Sequence, residues 1–385
     1  MRMAIFLSVF LTLYGSLHFY VFWKARRAFA FSKGVGVALA LFMGFMTVCP
    51  ILVRVVERQG FEFSARVLAY AGYTWMGFLF FFVVAGVELD LYGLVVHLFS
   101  RFTGRRAGKW RLSPRVSFFI ALGACLLFGG YALLEATAIQ TEHVVIMSPK
   151  IPASLDRLRI VQISDMHLGL IIGNRRLGRI LDAVRAAKPD ILVSTGDLLD
   201  GQIDGIEDLE TQFRAINPAY GKYAVNGNHE YYVGIGTAEK FYKGAGFTLL
   251  RNETLHIPGV AIVAGVDDPA AGRFGLSSGI TEKQILRDLP GERFVLLLKH
   301  RPHLDGGVKG LFDLQLSGHT HRGQIFPFTL IIQMLYPIAS GLLKLNGDGY
   351  LYVNPGTGTW GPPMRFLAPP EITVIDLVHG NGKNS

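Results

Sequence analysis

Cysteine is almost missing from this 385-residue sequence: there are 2, Cys49 and Cys125, and both sit inside long apolar runs. Their scarcity excludes a disulfide framework or a thiolate metal centre for the rest of the chain. Charge is sparse as well, with 17% charged against 50% hydrophobic residues, a balance that a wholly soluble protein rarely shows. A basic excess is missing where a nucleic-acid binder would need one. The formal net charge is +9, but 14 Lys and Arg against 5 Asp and Glu lie at or before Glu135, and the remainder, with 24 of each, is neutral. No nucleic-acid partner is expected.

What is there divides near residue 137. Four apolar stretches, 3–23, 34–53, 67–87 and 116–134, are each long enough to cross a hydrocarbon core of about 20 helical residues. Residues 1–136 are therefore expected to form a transmembrane helical domain in contact with the lipid bilayer, 137–154 a linker, 155–378 a globular domain and 379–385 a tail. No small-residue cleavage pattern follows the first stretch, so an uncleaved anchor is favoured over a signal peptide. Lys24, Arg26, Arg27 and Lys33 follow the first span, and Arg101, Arg105, Arg106, Lys109, Arg111 and Arg115 precede the fourth. The bias of short loops puts these on the cytoplasmic side and sends the C-terminal domain out of the cytoplasm, in a multi-pass cell-membrane protein. Glu88 and Asp90 are read as marking the membrane boundary at the end of the third span, not a transport path.

The second half reads as strand-helix-strand. Leu158 to Ser164 is β-rich and ends at Asp165-Met166-His167; Asn174 is placed to cap a helix with Leu177, Ile180, Leu181 and Val184 on one face, stopped by Pro189. The strand from Ile191 to Thr195 delivers Gly196-Asp197-Leu198-Leu199-Asp200, and Lys222 to Val225 delivers Gly227-Asn228-His229-Glu230. Arg293 to Lys299 ends in His300-Arg301-Pro302, and Leu314 to Ser317 ends in Gly318-His319-Thr320-His321. Polar side chains at successive strand ends are where α/β sheets carry ligand sites. Any one of these pieces occurs by chance. Their ordered series supplies what a pair of divalent ions needs, a bridging carboxylate plus several N and O donors.

In order and spacing these motifs resemble the calcineurin-like metallophosphoesterase family, in particular its membrane-associated bacterial branch, over about residues 155–378. The resemblance implies an α/β (α+β) four-layer β-sandwich flanked by helices, here preceded by about four transmembrane helices. It implies that Asp165, His167 and His321 hold one ion, that Asn228, His300 and His319 hold another, and that Asp197 bridges them. His229 is then a catalytic, non-ligand histidine, and Asp200 and Glu230 orient imidazoles. The implied activity is hydrolysis of a phosphoester by metal-activated water, needing no covalent intermediate. The mixed His/Asp/Asn donors suit Mn, Fe, Zn or Co better than Mg. The family's last motif commonly continues Gly-Gly-Gln; here it is Arg322-Gly323-Gln324, and Arg322 either meets a substrate phosphate or faces solvent.

His303 is set aside because only His300 falls at a strand end, and Asp267-Asp268, before Pro269, is read as a turn. The run Ile325 to Leu345 is strongly apolar and broken by Pro327, Pro337 and Gly341. It is either a buried core segment or an apolar lip suited to a lipid-linked phosphate or pyrophosphate ester. Asn354 to Pro363 is a Gly/Pro-rich loop that shapes a cleft mouth or merely turns the chain. The competing class is a membrane receptor or scaffold with a non-catalytic metal site.

Overall fold

The computed structural model describes residues 2–104, 108–201, 206–345 and 349–380. Arg105 and Arg106 of the basic loop, and residues 381–385 of the tail, lie outside the described residues. The chain divides into a helical unit, Met1–Leu134 with Gly361–Met364, and a mixed α/β unit, Glu135–Trp360 with Arg365–Ser385.

The helical unit contains α1 (Arg2–Ala28), α2 (Lys33–Arg58), α3 (Glu62–Thr103) and α4 (Pro114–Glu135). Among the described residues, α2, α3 and α4 are long and apolar enough to cross a membrane, and the first expected span lies inside α1. Ser32 starts α2 by accepting from the Val35 N–H, and Gly104, in the left-handed conformation, stops α3. At 42 residues, α3 is about 63 Å long, twice the hydrocarbon thickness. The third expected span is thus only its first half, the helix running on through Leu91 to Thr103, across Gly93, to Gly104. Glu88 and Asp90 consequently lie in mid-helix, not at a helix end. Asp90 accepts from Lys24 Nζ (2.7 Å) and the Tyr20 hydroxyl (2.6 Å). His18, which is buried, donates from Nδ1 to the Tyr14 carbonyl and accepts at Nε2 from Trp75 Nε1–H (2.9 Å each), so this imidazole is satisfied inside an apolar bundle.

In the α/β unit the strands are β1 (Gln140–Ser148), β2 (Leu158–Ile163), β3 (Ile191–Ser194), β4 (Lys222–Ala224), β5 (Thr248–Leu249), β6 (Glu253–Ile257), β7 (Ala261–Val266), β8 (Val295–Lys299), β9 (Leu314–Ser317), β10 (Gly341–Lys344), β11 (Tyr350–Val353) and β12 (Glu371–His379). They form two six-stranded sheets, ordered β1-β12-β2-β3-β4-β5 and β10-β11-β9-β8-β7-β6. Parallel pairing runs through β2-β3-β4-β5 in one and β7-β8-β9-β11 in the other. The stretch expected to be a linker therefore contains β1, an outer strand parallel to β12. Its first four residues, Gln140 to His143, are polar and exposed, and only the short run Val144 to Met147 marks it in the sequence.

Period-two alternation assigns the faces. Leu296 and Leu298 of β8 join Ile160, Ile191, Val193, Leu314, Leu316 and Ile375 in the core between the sheets. Val295 and Leu297 face the other way, toward Leu286 and Phe312. Three helices, α5 (Asn174–Ala187), α6 (Ile206–Arg214) and α8 (Ile235–Gly244), cover the first sheet through Leu177, Ile180, Leu181, Val184, Phe213 and Phe241. The short α7 (Asn228–Val233) precedes α8; α9 (Ala270–Arg273) and α10 (Glu282–Leu286) belong to the second sheet's side, where Leu286 packs. Helix, sheet, sheet, helix is the four-layer order that the resemblance implied. Asn174 proves to be the first helical residue of α5, not its cap: Gly173 holds that position in extended backbone. Lys188, in the left-handed conformation, and then Pro189 end the helix.

Candidate metal centre

The two sheets bring the C-terminal ends of β2, β3, β4, β8 and β9 to one place. Asp165, Asp197, His300 and His167 are almost fully buried there, with Asn228 and His229 close behind. The backbone bends sharply as each strand ends: Asp165, His167, Asp197, His319 and His321 all have φ between 47° and 70°, a region that costs a non-glycine residue of the order of 1–3 kcal/mol. Two glycines permit these bends. A Cβ on Gly196 (φ +92°) would lie 2.5 Å from the Gly227 nitrogen and 2.8 Å from His300 Nδ1, and one on Gly318 would collide with Ser164 and Asp165.

Three groups of side chains converge closely enough to hold an ion: Asp165, His167 and His321; His167, Asp197 and His229; and Asp197, His300 and His319. Asp197 Oδ2 lies 3.3 Å from His300 Nε2 and 3.9 Å from His167 Nε2. His167 Nε2 faces His321 Nε2 at 3.0 Å, and His300 Nε2 faces His319 Nδ1 at 3.1 Å. Opposed ring nitrogens among carboxylates form a donor set that fits cations. The Oδ1 of Asn228, buried and without a hydrogen-bond partner, fits the same purpose, since a buried acceptor left unpaired is costly. All seven residues that the resemblance offered as ligands are gathered here.

The ligands are held from behind. His300 Nδ1–H donates to the Thr195 carbonyl at 2.8 Å, fixing the tautomer that presents Nε2. Asp165 accepts from the His319 N–H, and Asp197 Oδ1 from the His229 N–H at 2.8 Å. His229 Nδ1 lies 2.8 Å from Asp200 Oδ1, so Asp200 orients an imidazole as expected. Glu230 does something else. Its carboxylate accepts the backbone N–H groups of Asp197, Leu198, Leu199 and Gly227 at 2.7–3.1 Å, pinning the bridging-carboxylate turn and not a ring.

Electrostatics divide the histidines. Burial pushes His300 down, but Asp197 and then Asp165 outweigh it and raise the ring to about 10; Asp197 and Asp200 likewise lift His229, against burial, to about 9. Burial, then His300 and Arg301, depress His319 to about 2, and burial, then His167 and Arg365, hold His321 well below the usual range. Burial raises Asp197, yet His300, His229 and His167 together hold its carboxyl well below the ordinary value. Protons on some rings thus balance the carboxylates where divalent ions would do so instead.

His303 is exposed against Tyr336 (ring centroids 5.0 Å apart) and takes no part. Asp267 and Asp268 are paired with Arg251 (3.0 Å) and Arg301 (2.6 Å). Arg322 is exposed. Gly275-Leu276-Ser277-Ser278-Gly279 has the spacing of a nucleophile elbow, a match that the sequence reading missed. Ser277 lies exposed in the loop after α9, not on a strand-to-helix turn. Arg365 was missed as well. It is fully buried, and its guanidinium donates to the carbonyls of His321, Pro355, Gly356, Gly358 and Ala368, with Nη2 3.3 Å from His321 Nδ1. Its distance from the motifs in sequence hid it. The apolar run after the site is exposed, not core: α11 (Phe328–Leu335) has no buried residue, and Leu330, Ile331, Met334 and Leu335 are open to solvent.

Residues 158–323 match the family model described as calcineurin-like phosphoesterase. A protein of Aquifex aeolicus named "Uncharacterized metallophosphoesterase" is 37% identical over 254 residues, 66% of this chain and 97% of that protein. The Bacillus subtilis "Uncharacterized metallophosphoesterase YkuE" is 34% identical over 68% of this chain and 94% of its own length. A Danio rerio "Transmembrane protein with metallophosphoesterase domain" is 33% identical over 67% of this chain and 62% of that protein. The ligand cluster, the four-layer fold and these relatives agree, and the chain belongs to the calcineurin-like metallophosphoesterases, as a membrane-associated, metal-dependent phosphoesterase.

Proposed function

We propose that the chain binds two divalent metal ions and hydrolyses a phosphoester or pyrophosphate bond of a lipid-linked or cell-envelope substrate. The observation that carries the two-ion reading is the overlap of the three ligand groups at Asp197 and His167. Asp165, His167 and His321 would hold one ion, Asn228, His300 and His319 the other, and Asp197 both. Bound there, such ions activate water near neutral pH and neutralise charge on the phosphoryl oxygens. His229, held by Asp200, would donate a proton to the leaving oxygen.

The lipid-linked part of the reading is supported by α11, whose exposed apolar side chains begin five residues after Arg322-Gly323. An apolar surface of that kind suits an ester carrying a hydrocarbon tail. The test is hydrolysis by the detergent-solubilised full chain, supplied with Mn, of bis-p-nitrophenyl phosphate, p-nitrophenyl phosphate and phospholipids, with bound metal measured alongside. Turnover with about two ions per chain is expected, fastest on a lipid ester. A fully loaded protein that hydrolyses none of the three would overturn the reading.

A further inference from the structure

The helical unit contains two spaces that the phosphoesterase site does not use. One, of about 350 Å³, is lined by Lys24, Arg27, Asp90, His97, Arg111 and Ser117 among others. The second, of about 420 Å³, is lined by apolar side chains that include Val21, Ala25, Trp75, Phe82, Phe118 and Leu122. Both open between α1, α3 and α4. The same three helices wall both: Lys24 and Ala25 on α1, and Ser117 and Phe118 on α4, are chain neighbours with one residue of each pair in each lining.

The polar space has an excess of positive charge. Asp90 is the carboxylate among its lining residues, and Lys24 Nζ already neutralises it at 2.7 Å while also donating to the Ser117 hydroxyl at 3.3 Å. Arg27 lies with its guanidinium 4.8 Å from the Trp23 ring centre. Arg111 donates to His97 Nδ1 at 2.7 Å, which requires that ring nitrogen to be unprotonated. Two guanidiniums, Arg27 and Arg111, are left without a carboxylate among the lining residues, and guanidiniums bind phosphate oxygens in pairs. A basic pocket and an apolar chamber walled by neighbouring residues of the same membrane helices match the two ends of a lipid and not a free anion.

We propose that these spaces form a binding site for one anionic phospholipid, its phosphodiester on Arg27 and Arg111 and one acyl chain in the chamber behind Ala25 and Phe118. Selectivity in this site comes from charge. An acyl chain is as well solvated by neighbouring lipid as by Phe82 and Leu122, so the chamber admits the chain without ranking chain lengths, whereas the two guanidiniums rank headgroups.

The test titrates the detergent-purified full chain with phosphatidylglycerol and with phosphatidylcholine of the same chains, reading bound lipid by native mass spectrometry. One phosphatidylglycerol should bind at a concentration about tenfold or more below that for phosphatidylcholine, a gap of about 1.4 kcal/mol. The double variant Arg27→Gln, Arg111→Gln should erase the preference and leave hydrolysis of p-nitrophenyl esters unchanged. Arg27→Lys, which keeps the charge should the double variant fold poorly, should retain most of it. Ala25→Phe, which fills the chamber, should lower occupancy by either lipid. Equal binding of the two lipids by the unaltered protein, an unchanged preference in the double variant, or displacement of the lipid by millimolar inorganic phosphate would each overturn the proposal.

Discussion

His229 is held from two sides: its Nδ1 is 2.8 Å from Asp200 Oδ1, and its backbone N–H donates to Asp197 Oδ1 at 2.8 Å. The first contact spends one ring nitrogen on orientation. The ring also lies within ligand range of His167 and Asp197. The geometry alone would let this ring ligate, whereas its bond to Asp200 suits a ring that carries a proton. His229→Ala is therefore expected to keep both ions and lose about 10² to 10⁴ in turnover, the range for a positioned acid or base. Asp200→Ala should lose only about 10- to 100-fold, as orienting partners do. If the role is proton donation, both losses shrink for p-nitrophenyl esters, whose leaving group hardly needs a proton. Metal analysis decides between roles: release of an ion from His229→Ala would make it a ligand.

Asp197 is in reach of two of the three other ligand directions at once, toward His300 and toward His167. Asp197→Ala should abolish hydrolysis and lower bound metal, because two cations lose the carboxylate that lets them sit together. Full metal content with more than about a tenth of normal turnover would rule the bridging role out.

Arg365 makes a third case, since it is a buried cation among carbonyls with no carboxylate bonded to it among the described residues. Burial, then Arg176, lowers it to about 9, so the fold carries a cost to keep it. What it gives in return is the position of His321 and of the loop from Pro355 to Gly358. Arg365→Lys offers three donors where the guanidinium has five, and should lower stability by about 2–4 kcal/mol while weakening metal affinity. Arg365→Met should be worse still for metal. Unaltered metal affinity in both would reduce Arg365 to a packing residue.

Most of this site was legible because its ligands sit in short motifs directly after strands whose apolar runs announce themselves. The four-layer order came with the family resemblance that those motifs carry. Glu230 was placed in the right neighbourhood with the wrong partner, because a carboxylate accepting four backbone N–H groups leaves no trace in composition. Arg365 lies 44 residues beyond His321, and only the closed chain brings it under the ring. β1 escaped because its exposed Gln140-Thr141-Glu142-His143 start has no apolar alternation. The length of α3 was hidden by Glu88 and Asp90, which look like a boundary until Lys24 and Tyr20 are seen to satisfy Asp90.

Acid sensitivity should show at the pair that closes the first sheet. Arg159 and Asp376 are register partners on β2 and β12, joined by two hydrogen bonds of 2.7 Å. The Arg159 hydrogen bond, against burial, holds the Asp376 carboxyl below its ordinary value. A lowered carboxyl contributes stability that is present above the unfolded value of about 3.9 and is lost as pH falls through the folded one. Asp376→Asn should therefore melt below the unaltered protein at pH 7, by about 1–2 kcal/mol given partial exposure, and the gap should close toward pH 3. A gap of constant size across that window would show that the pair acts through packing and not charge.

We propose from loop charge the side of the membrane on which the ligand cluster lies. Lys24, Arg26, Arg27 and Lys33 lie at or just beyond the end of α1, and Arg101, Lys109, Arg111 and Arg115 flank the α3–α4 connection. Short loops rich in Lys and Arg stay cytoplasmic. With α1 through α4 all crossing, the α/β unit then emerges on the opposite side. Alkaline phosphatase fused after Ser385 should be active and a fluorescent protein there dark. Against this stand Arg54, Arg58 and Arg66 between α2 and α3, a smaller cluster on the other side, and a large domain can override charge bias. The reverse reporter pattern would put the α/β unit in the cytoplasm, and the substrate would then be sought among lipid-precursor pyrophosphates made there and not among finished envelope esters. Neutralising Lys24, Arg26, Arg27 and Lys33 together should weaken the preferred orientation, measurable as a mixed population of the two reporters. An orientation unmoved by that change would show that the loops do not set it.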